Sequence, residues 1–545
     1  MVARANLSAD LIIENARIYT VDDSNPIAQN LAVRDGRIVA VGSDADVDPL
    51  SGPESRVVDL GGKTVIPGLI DSHVHLLEFA LRLRRVELAG ASTLEEALDR
   101  VRAAATLLKP GEWILGGGFD SNQWGRLPNR LDLDSATPSN PAFLASKDMH
   151  SGWANSIALK LAGIDAHTAD PTGGEIVRDP DSGEPTGILR ESAVGIVARC
   201  AGLSDDDSGS SASGFDPKTI DSALVAALDV AASKGLAGLH VSEGPQCFSA
   251  IQRLRASGAL SLRIFCHIRR ENLPDALRLG IGTGFGDEWL RIGYVKLFLD
   301  GALGSQTDHT LAPHLENNGC GIDTMPYEEL REVVISALKG GIAPAIHAIG
   351  DAANRKALDV LEENLHLWKP ANLRPRIEHV QLLHPEDVGR LGRLGIIASM
   401  QPIHQPSDWI IADRYWGPER TPLAYAWRAV LDSGAVLAFG SDCPVEPIDP
   451  LPGLFAAVTR QTRDFQPEGG WHPEQRLTPM QALRAYTLGS AYASSEERDK
   501  GSLSPGKLAD FVVLSDDPFA GPPELFLRTE VLATVVGGRV VFGDL

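Results

Sequence analysis

The chain of 545 residues exceeds what one hydrophobic core ordinarily organises, which predicts a large domain with one or two smaller ones. A formal net charge of -22, from 72 acidic against 50 basic residues, argues against nucleic acid or an anionic membrane as partner, because both require clustered positive charge. The 5 cysteines are scattered and lack C-x-x-C spacing, so neither a disulfide framework nor a zinc knot is expected, and a reducing cytoplasm is the expected location.

The first sixty residues read as short strands and turns at 11–20, 30–33, 37–41 and 56–60, with Asp35-Gly36 as a hairpin signal. Residues 1–10 lead into the first of these with no basic-then-apolar leader, and no apolar run is long enough to cross a bilayer. The other end repeats the style at 509–514, 531–536 and 539–542. Two β segments without intervening helices predict that the termini, 1–62 and 500–545, combine into one small sandwich.

Between them the run Thr64-Val65-Ile66-Pro67-Gly68-Leu69-Ile70-Asp71-Ser72-His73-Val74-His75 reads as a buried strand that ends where polar residues begin. Residues i and i+2 of a strand share a face, so His73 and His75 would aim both imidazoles at one point, as a metal grip does. Strand-like runs then alternate with helical ones, giving eight barrel candidates at 64–71, 235–241, 261–268, 294–300, 343–348, 374–380, 395–402 and 436–442. The fold class expected is α/β, a (β/α)8 barrel over 63–499 with its chemistry at the C-terminal ends of the strands. About 160 residues separate the first two strands, far more than a βαβ unit needs, so 76–230 is expected to be an inserted lid subdomain. The acidic, small-residue stretch 204–211 within it reads as a loop.

Lys296, His347, His379 and Asp442 each lie at or near the end of a strand-like run. Taken singly, each has an ordinary reading. A lone histidine is more often a hydrogen-bonded core residue, Asp442 could cap a helix, and Lys296 could pair with Asp300. Taken together with His73 and His75, they point to a metal centre. His240 and His267 match no ligand position and read as pocket or core residues.

The chain resembles the amidohydrolase superfamily, and within it the branch that contains N-substituted formamide deformylase. The likeness rests on residues 67–75 (Pro67 to His75), on Lys296 with Asp300-Gly301-Ala302-Leu303-Gly304-Ser305, on His347-Ala348-Ile349-Gly350-Asp351, on Ile377-Glu378-His379, on Gly440-Ser441-Asp442 and on residues 501–510. It implies that His73 and His75 bind one metal and His347 and His379 a second, that Lys296 bridges them as a CO₂-derived carbamate, and that Asp442 is both ligand and proton shuttle. Asp442, Lys296 and His379 are the implied catalytic residues, and Zn²⁺, two ions, is the implied cofactor, with another divalent metal as the alternative. Imidazole and carboxylate suit zinc, and a protonated lysine would be repelled by two cations, so Lys296 belongs there only as a neutral amine or a carbamate. Glu378 and Asp351 are expected to orient imidazoles or loops.

The implied reaction is hydrolysis of a linear amide, formamide or carbamate by metal-activated water, with Asp442 taking the proton and returning it to the leaving nitrogen. The alternatives are a cyclic-amide hydrolase, a heterocycle aminohydrolase or, in another class, a binding scaffold that retains the barrel. The bridging Lys296 speaks against the aminohydrolase. Trp124, His150, Trp153, Trp409, Tyr415 and Arg420 fall in regions the branch uses around its pocket and suggest a small-molecule substrate with an apolar or aromatic group. Ser305, Thr307 and His309 are candidates for contact with the scissile group, and Asp300 is a further substrate-binding candidate. A homodimer is the expected assembly if the chain associates.

Overall fold

A computed structural model describes residues 8–83, 85–88, 90–119, 121, 124–146, 151–171, 174–201, 216–304 and 306–545. The chain divides into two compact units, one of Met1–Leu76, Leu228–Glu243 and Ile251–Leu545, the other of Leu77–Ala227 and Gly244–Ala250.

The first unit holds an eight-stranded parallel sheet whose strands follow one another in chain order: β1 (Leu69–Val74), β2 (Leu236–Val241), β3 (Arg263–Arg269), β4 (Leu290–Phe298), β5 (Pro344–Ala348), β6 (Arg376–His379), β7 (Ile397–Met400) and β8 (Leu437–Phe439). Just beyond β8 the chain returns to β1, where Val74 and Cys443 form a parallel bridge, His75 N–H donates to the Cys443 carbonyl at 2.8 Å and Asp442 N–H donates to the His73 carbonyl at 2.8 Å. These bonds close a (β/α)8 barrel. Every residue of β1, β2, β6 and β7 is buried, as expected of parallel strands covered on both faces. That burial accounts for the continuous apolar runs in the sequence.

The N-terminal segment builds one further sheet and shares a second with the C-terminal segment. A four-stranded sheet runs Arg37–Gly42, Asn30–Arg34, Leu11–Glu14, Arg56–Asp59, and a six-stranded one runs Arg539–Gly543, Val531–Val536, Phe511–Leu514, Thr64–Pro67, Arg17–Tyr19, Ile27–Ala28. Ile13, Leu31 and Ile38 of the first share a core with Ile18, Val65, Phe511 and Val535 of the second. One strand departs from the sequence reading. The run 64–71 is not a single barrel strand, because Thr64–Pro67 pairs with Phe511–Leu514 and Arg17–Ile18, and only from Leu69 does the chain enter the barrel. Gly68 makes the crossing, and a Cβ there would lie 2.5 Å from that of Ala237, so only glycine lets the chain pass. Arg263 of β3 and Asp510 form a buried bidentate pair at 2.7 and 2.9 Å between barrel and terminal sheets.

The second unit carries a six-stranded mixed sheet in the order Gly174–Arg178, Pro185–Glu191, Ser151–Ala154, Ala142–Ser146, Ile114–Phe119, Val86–Glu87. Against the insert 76–230 read from sequence, this unit also takes in Gly244–Ala250. The loop reading of 204–211 lies outside the described residues. Among the described residues no helix is long and apolar enough to cross a membrane.

Candidate metal centre

Six barrel strands deliver polar side chains to one place. His73 and His75 come from the end of β1, Lys296 from β4, His347 from β5, Glu378 and His379 from β6, Gln401 and His404 from just beyond β7, and Asp442 from just beyond β8. His379 (φ 74°) and Asp442 (φ 59°) both adopt the left-handed backbone conformation, which non-glycine residues rarely adopt and which is found preferentially where function demands it.

Asp442 sits between two pairs of imidazoles. Its Oδ1 lies 3.5 Å from His73 Nε2 and 3.4 Å from His75 Nε2, while its Oδ2 lies 4.0 Å from His379 Nδ1 and 3.8 Å from His404 Nε2. Several imidazoles of the site are held from another side. His73 Nδ1 pairs with Glu378 Oε2 at 2.7 Å, His379 Nδ1 with Gln401 Oε1 at 2.8 Å, and His347 Nε2 donates to the Gly301 carbonyl at 3.0 Å. Such partners fix ring orientation and tautomer, which is how metal-binding histidines are ordinarily held. Glu378 is in turn ion-paired with Arg376 at 2.5 Å, and both are fully buried.

The charges are set by burial and by one another. Burial pushes Asp442 up, yet His73, His75 and His379 outweigh it and hold the carboxylate well below its usual range. Burial, then the charge of Lys296, lowers His73 to about 4 and His347 to about 3, so both imidazoles are neutral, the form that binds metal. Burial likewise lowers Lys296 to about 8. Its Nζ is 3.3 Å from His73 Nε2, and among the described residues no carboxylate lies within ion-pair distance of it, so the pairing with Asp300 does not form. The donor set is imidazole and carboxylate. Asp442 Oδ1 is buried without a hydrogen-bond partner, and the ligand atoms of His73, His75 and Asp442 lie within 4.8 Å of one another. These residues fit a divalent cation.

Several proposed substrate contacts fall elsewhere. Trp153 is fully buried in the core of the second unit, its indole N–H on the Asn129 carbonyl at 2.8 Å. Trp124 stacks on Phe119 in that same core and donates to the Ala91 carbonyl. Both pack within their own unit. Arg420 gives its guanidinium to the carbonyls of Ala312, Pro313 and Trp416, which makes it a loop staple. Asp300 is buried and accepts backbone N–H bonds from His309, Ile349 and Gly350, tying the loop after β4 to the loop after β5. Burial raises it to about 7. Asp351 does similar work, accepting from Leu311 N–H at 2.7 Å. Trp409 is half-buried on the helix His404–Tyr415, and His309 is half-buried with Nδ1 unpartnered. His150 and Ser305 lie outside the described residues.

The sequence reading missed His404, Gln401 and Arg376. The signal for the first was its place four residues past the end of β7, on the face where the other ligands converge. His240 and His267 are core residues that accept from the Arg376 guanidinium at 3.1 and 2.6 Å.

A family model described as "Amidohydrolase family" matches residues 56–542. Protein LONG AFTER FAR-RED 3 of Arabidopsis thaliana is 37% identical over 99% of this chain and 92% of its own length. N-substituted formamide deformylase of Arthrobacter pascens is 31% identical, with 97% of each chain covered. An uncharacterized metal-dependent hydrolase from Pyrococcus furiosus has a solved structure that superposes with a TM-score of 0.76 at 30% identity, covering 93% of this chain and 99% of that one.

Proposed function

This chain belongs to the amidohydrolase family, and from that premise we propose that it hydrolyses the C–N bond of a linear amide, namely an N-substituted formamide, an N-acyl amine or a carbamate. The observation that carries the reading is the ring of oriented imidazoles around the Asp442 carboxylate at the mouth of a closed barrel. His73, His75, His347, His379 and Asp442 would hold zinc or another divalent cation. When bound, such an ion acidifies water and polarises a carbonyl.

The side chains supply the rest. Asp442, kept ionised by its imidazole neighbours, accepts a proton from water and passes it to the departing nitrogen, which cannot leave as an amide anion. Burial lowers Lys296 to about 8, so its amine sheds a proton more readily than a surface lysine does, which supports uptake of CO₂ as a bridging carbamate. Phe298 supports an apolar or aromatic substituent on the substrate, because its ring is 42% exposed, 5.3 Å from that of His347. In solution the protein is proposed to act in the cytoplasm on small molecules, as a homodimer if it associates.

The test is a hydrolysis screen of formamides, N-acyl amines, carbamates, cyclic imides and aminated heterocycles on zinc-loaded protein. Turnover of a linear substrate that is lost to a chelator and restored by Zn²⁺ is the expected result. Turnover confined to cyclic imides or heterocycles would overturn the substrate class, and turnover indifferent to chelation would overturn the metal.

A further inference from the structure

We propose that His404 is a metal ligand, and that His404, His379 and Asp442 Oδ2 form a cation position beside the one that His73, His75 and Asp442 Oδ1 form. This deepens the reading above and rests on it. The two groups share only Asp442, and within each the ligand atoms lie within 4.8 Å of one another. A four-coordinate ion with bonds of about 2.0–2.1 Å spaces its ligand atoms roughly 3.4 Å apart. The first group matches that spacing at 3.5 and 3.4 Å. The second is wider, at 4.0 Å to His379 Nδ1 and 3.8 Å to His404 Nε2, and there His379 Nδ1 would exchange its Gln401 partner for the ion.

His404 is 6% exposed, and its Nε2 is buried with no hydrogen-bond partner, an arrangement that costs free energy unless a ligand occupies it. The ring is held from behind. His404 Nδ1 lies 3.1 Å from the side-chain amide of Gln381, whose other end faces Tyr425 Oη at 3.1 Å. Tyr425 has one hydroxyl hydrogen, and Asp408 Oδ2 at 2.6 Å takes it. The Gln381 amide, whose ends are interchangeable by a half-turn, then gives its NH₂ to Tyr425 Oη and its carbonyl oxygen to His404 Nδ1–H. The result is the tautomer whose Nε2 carries a lone pair toward Asp442 Oδ2, the state a metal-binding imidazole requires.

Cobalt reports on this directly. Full-length protein stripped of metal is titrated with Co²⁺, and bound metal and the visible ligand-field spectrum are recorded for the wild type, His404→Gln and His404→Cys. Expected are a fall from about two ions per chain to about one in His404→Gln with an altered spectrum, and in His404→Cys a thiolate-to-Co²⁺ charge-transfer band in the near ultraviolet. If His404→Gln fails to fold, judged by circular dichroism of the metal-free protein, the cysteine variant decides. Unchanged stoichiometry and spectrum in His404→Gln, or no charge-transfer band in a folded His404→Cys, overturns the role of His404 alone. A wild type that binds no Co²⁺ overturns the whole site.

Discussion

At the mouth of the barrel His73, His75, His379 and His404 gather round a carboxylate, whereas elsewhere inside the same barrel His240 and His267 gather round a guanidinium. Burial does not distinguish them, since His73, His240 and His267 are all at most 4% exposed. The partner's charge does. Arg376 satisfies imidazole acceptors with N–H groups and would repel any cation, while Asp442 leaves imidazole lone pairs facing an anion with room for one. Arg376 also links the two clusters, because it pairs with Glu378 and Glu378 holds His73. The guanidinium that makes one cluster structural thus braces the other.

The largest effect should come from the carboxylate at the mouth. Asp442→Asn keeps the shape but not the proton acceptor, and kcat on the best substrate from the screen is expected to fall by about 10²–10⁴. Retention of wild-type turnover would remove Asp442 from the reaction. Next in size is the brace. Glu378→Gln should weaken zinc affinity about 10–100-fold, read by competition with a chelating dye, because His73 loses the anion that fixes its tautomer. Removing an imidazole from the other cluster should leave zinc untouched. His267→Leu deprives Arg376 Nη2 of its acceptor and should cost about 1–3 kcal/mol in denaturant unfolding, with metal stoichiometry unchanged. A loss of metal in that variant would mean the clusters are not separable.

How much of this was legible follows from what strand geometry leaves in a sequence. The H-x-H pair was readable because a strand repeats every two residues, His347, His379 and Asp442 because each closes an apolar run, and Lys296 because it is a lone charge inside one. His404 opens a helix after a three-residue gap, outside any strand period, so the same rule passed over it. The run 64–71 was misplaced because an uninterrupted apolar stretch carries no mark of a change of sheet other than Gly68. Trp124 and Trp153 look the same in sequence whether they line a pocket or pack inside an inserted unit, and Trp153 lies on a strand of that unit's own sheet. Arg420 could not be read because its partners are backbone carbonyls, which the sequence does not display.

The smallest effect is in pH, and it sharpens the contrast most finely. Burial first, and then the positive Arg376, hold His240 and His267 well below the usual imidazole range. In the unfolded chain the same groups titrate near about 6.5. A folded pKa below the unfolded one means that the unfolded state binds more protons as the solution is acidified. The contribution of these histidines to stability is therefore complete above about pH 6.5 and is lost as pH falls below it. Denaturant unfolding of the metal-free protein should accordingly show a fall in stability below that point which is shallower in His267→Leu, since one of the two titrating groups is gone. An identical slope in wild type and variant would mean that His267 takes up a proton in the folded barrel beside Arg376, and the distinction between the two clusters would fail at its electrostatic root.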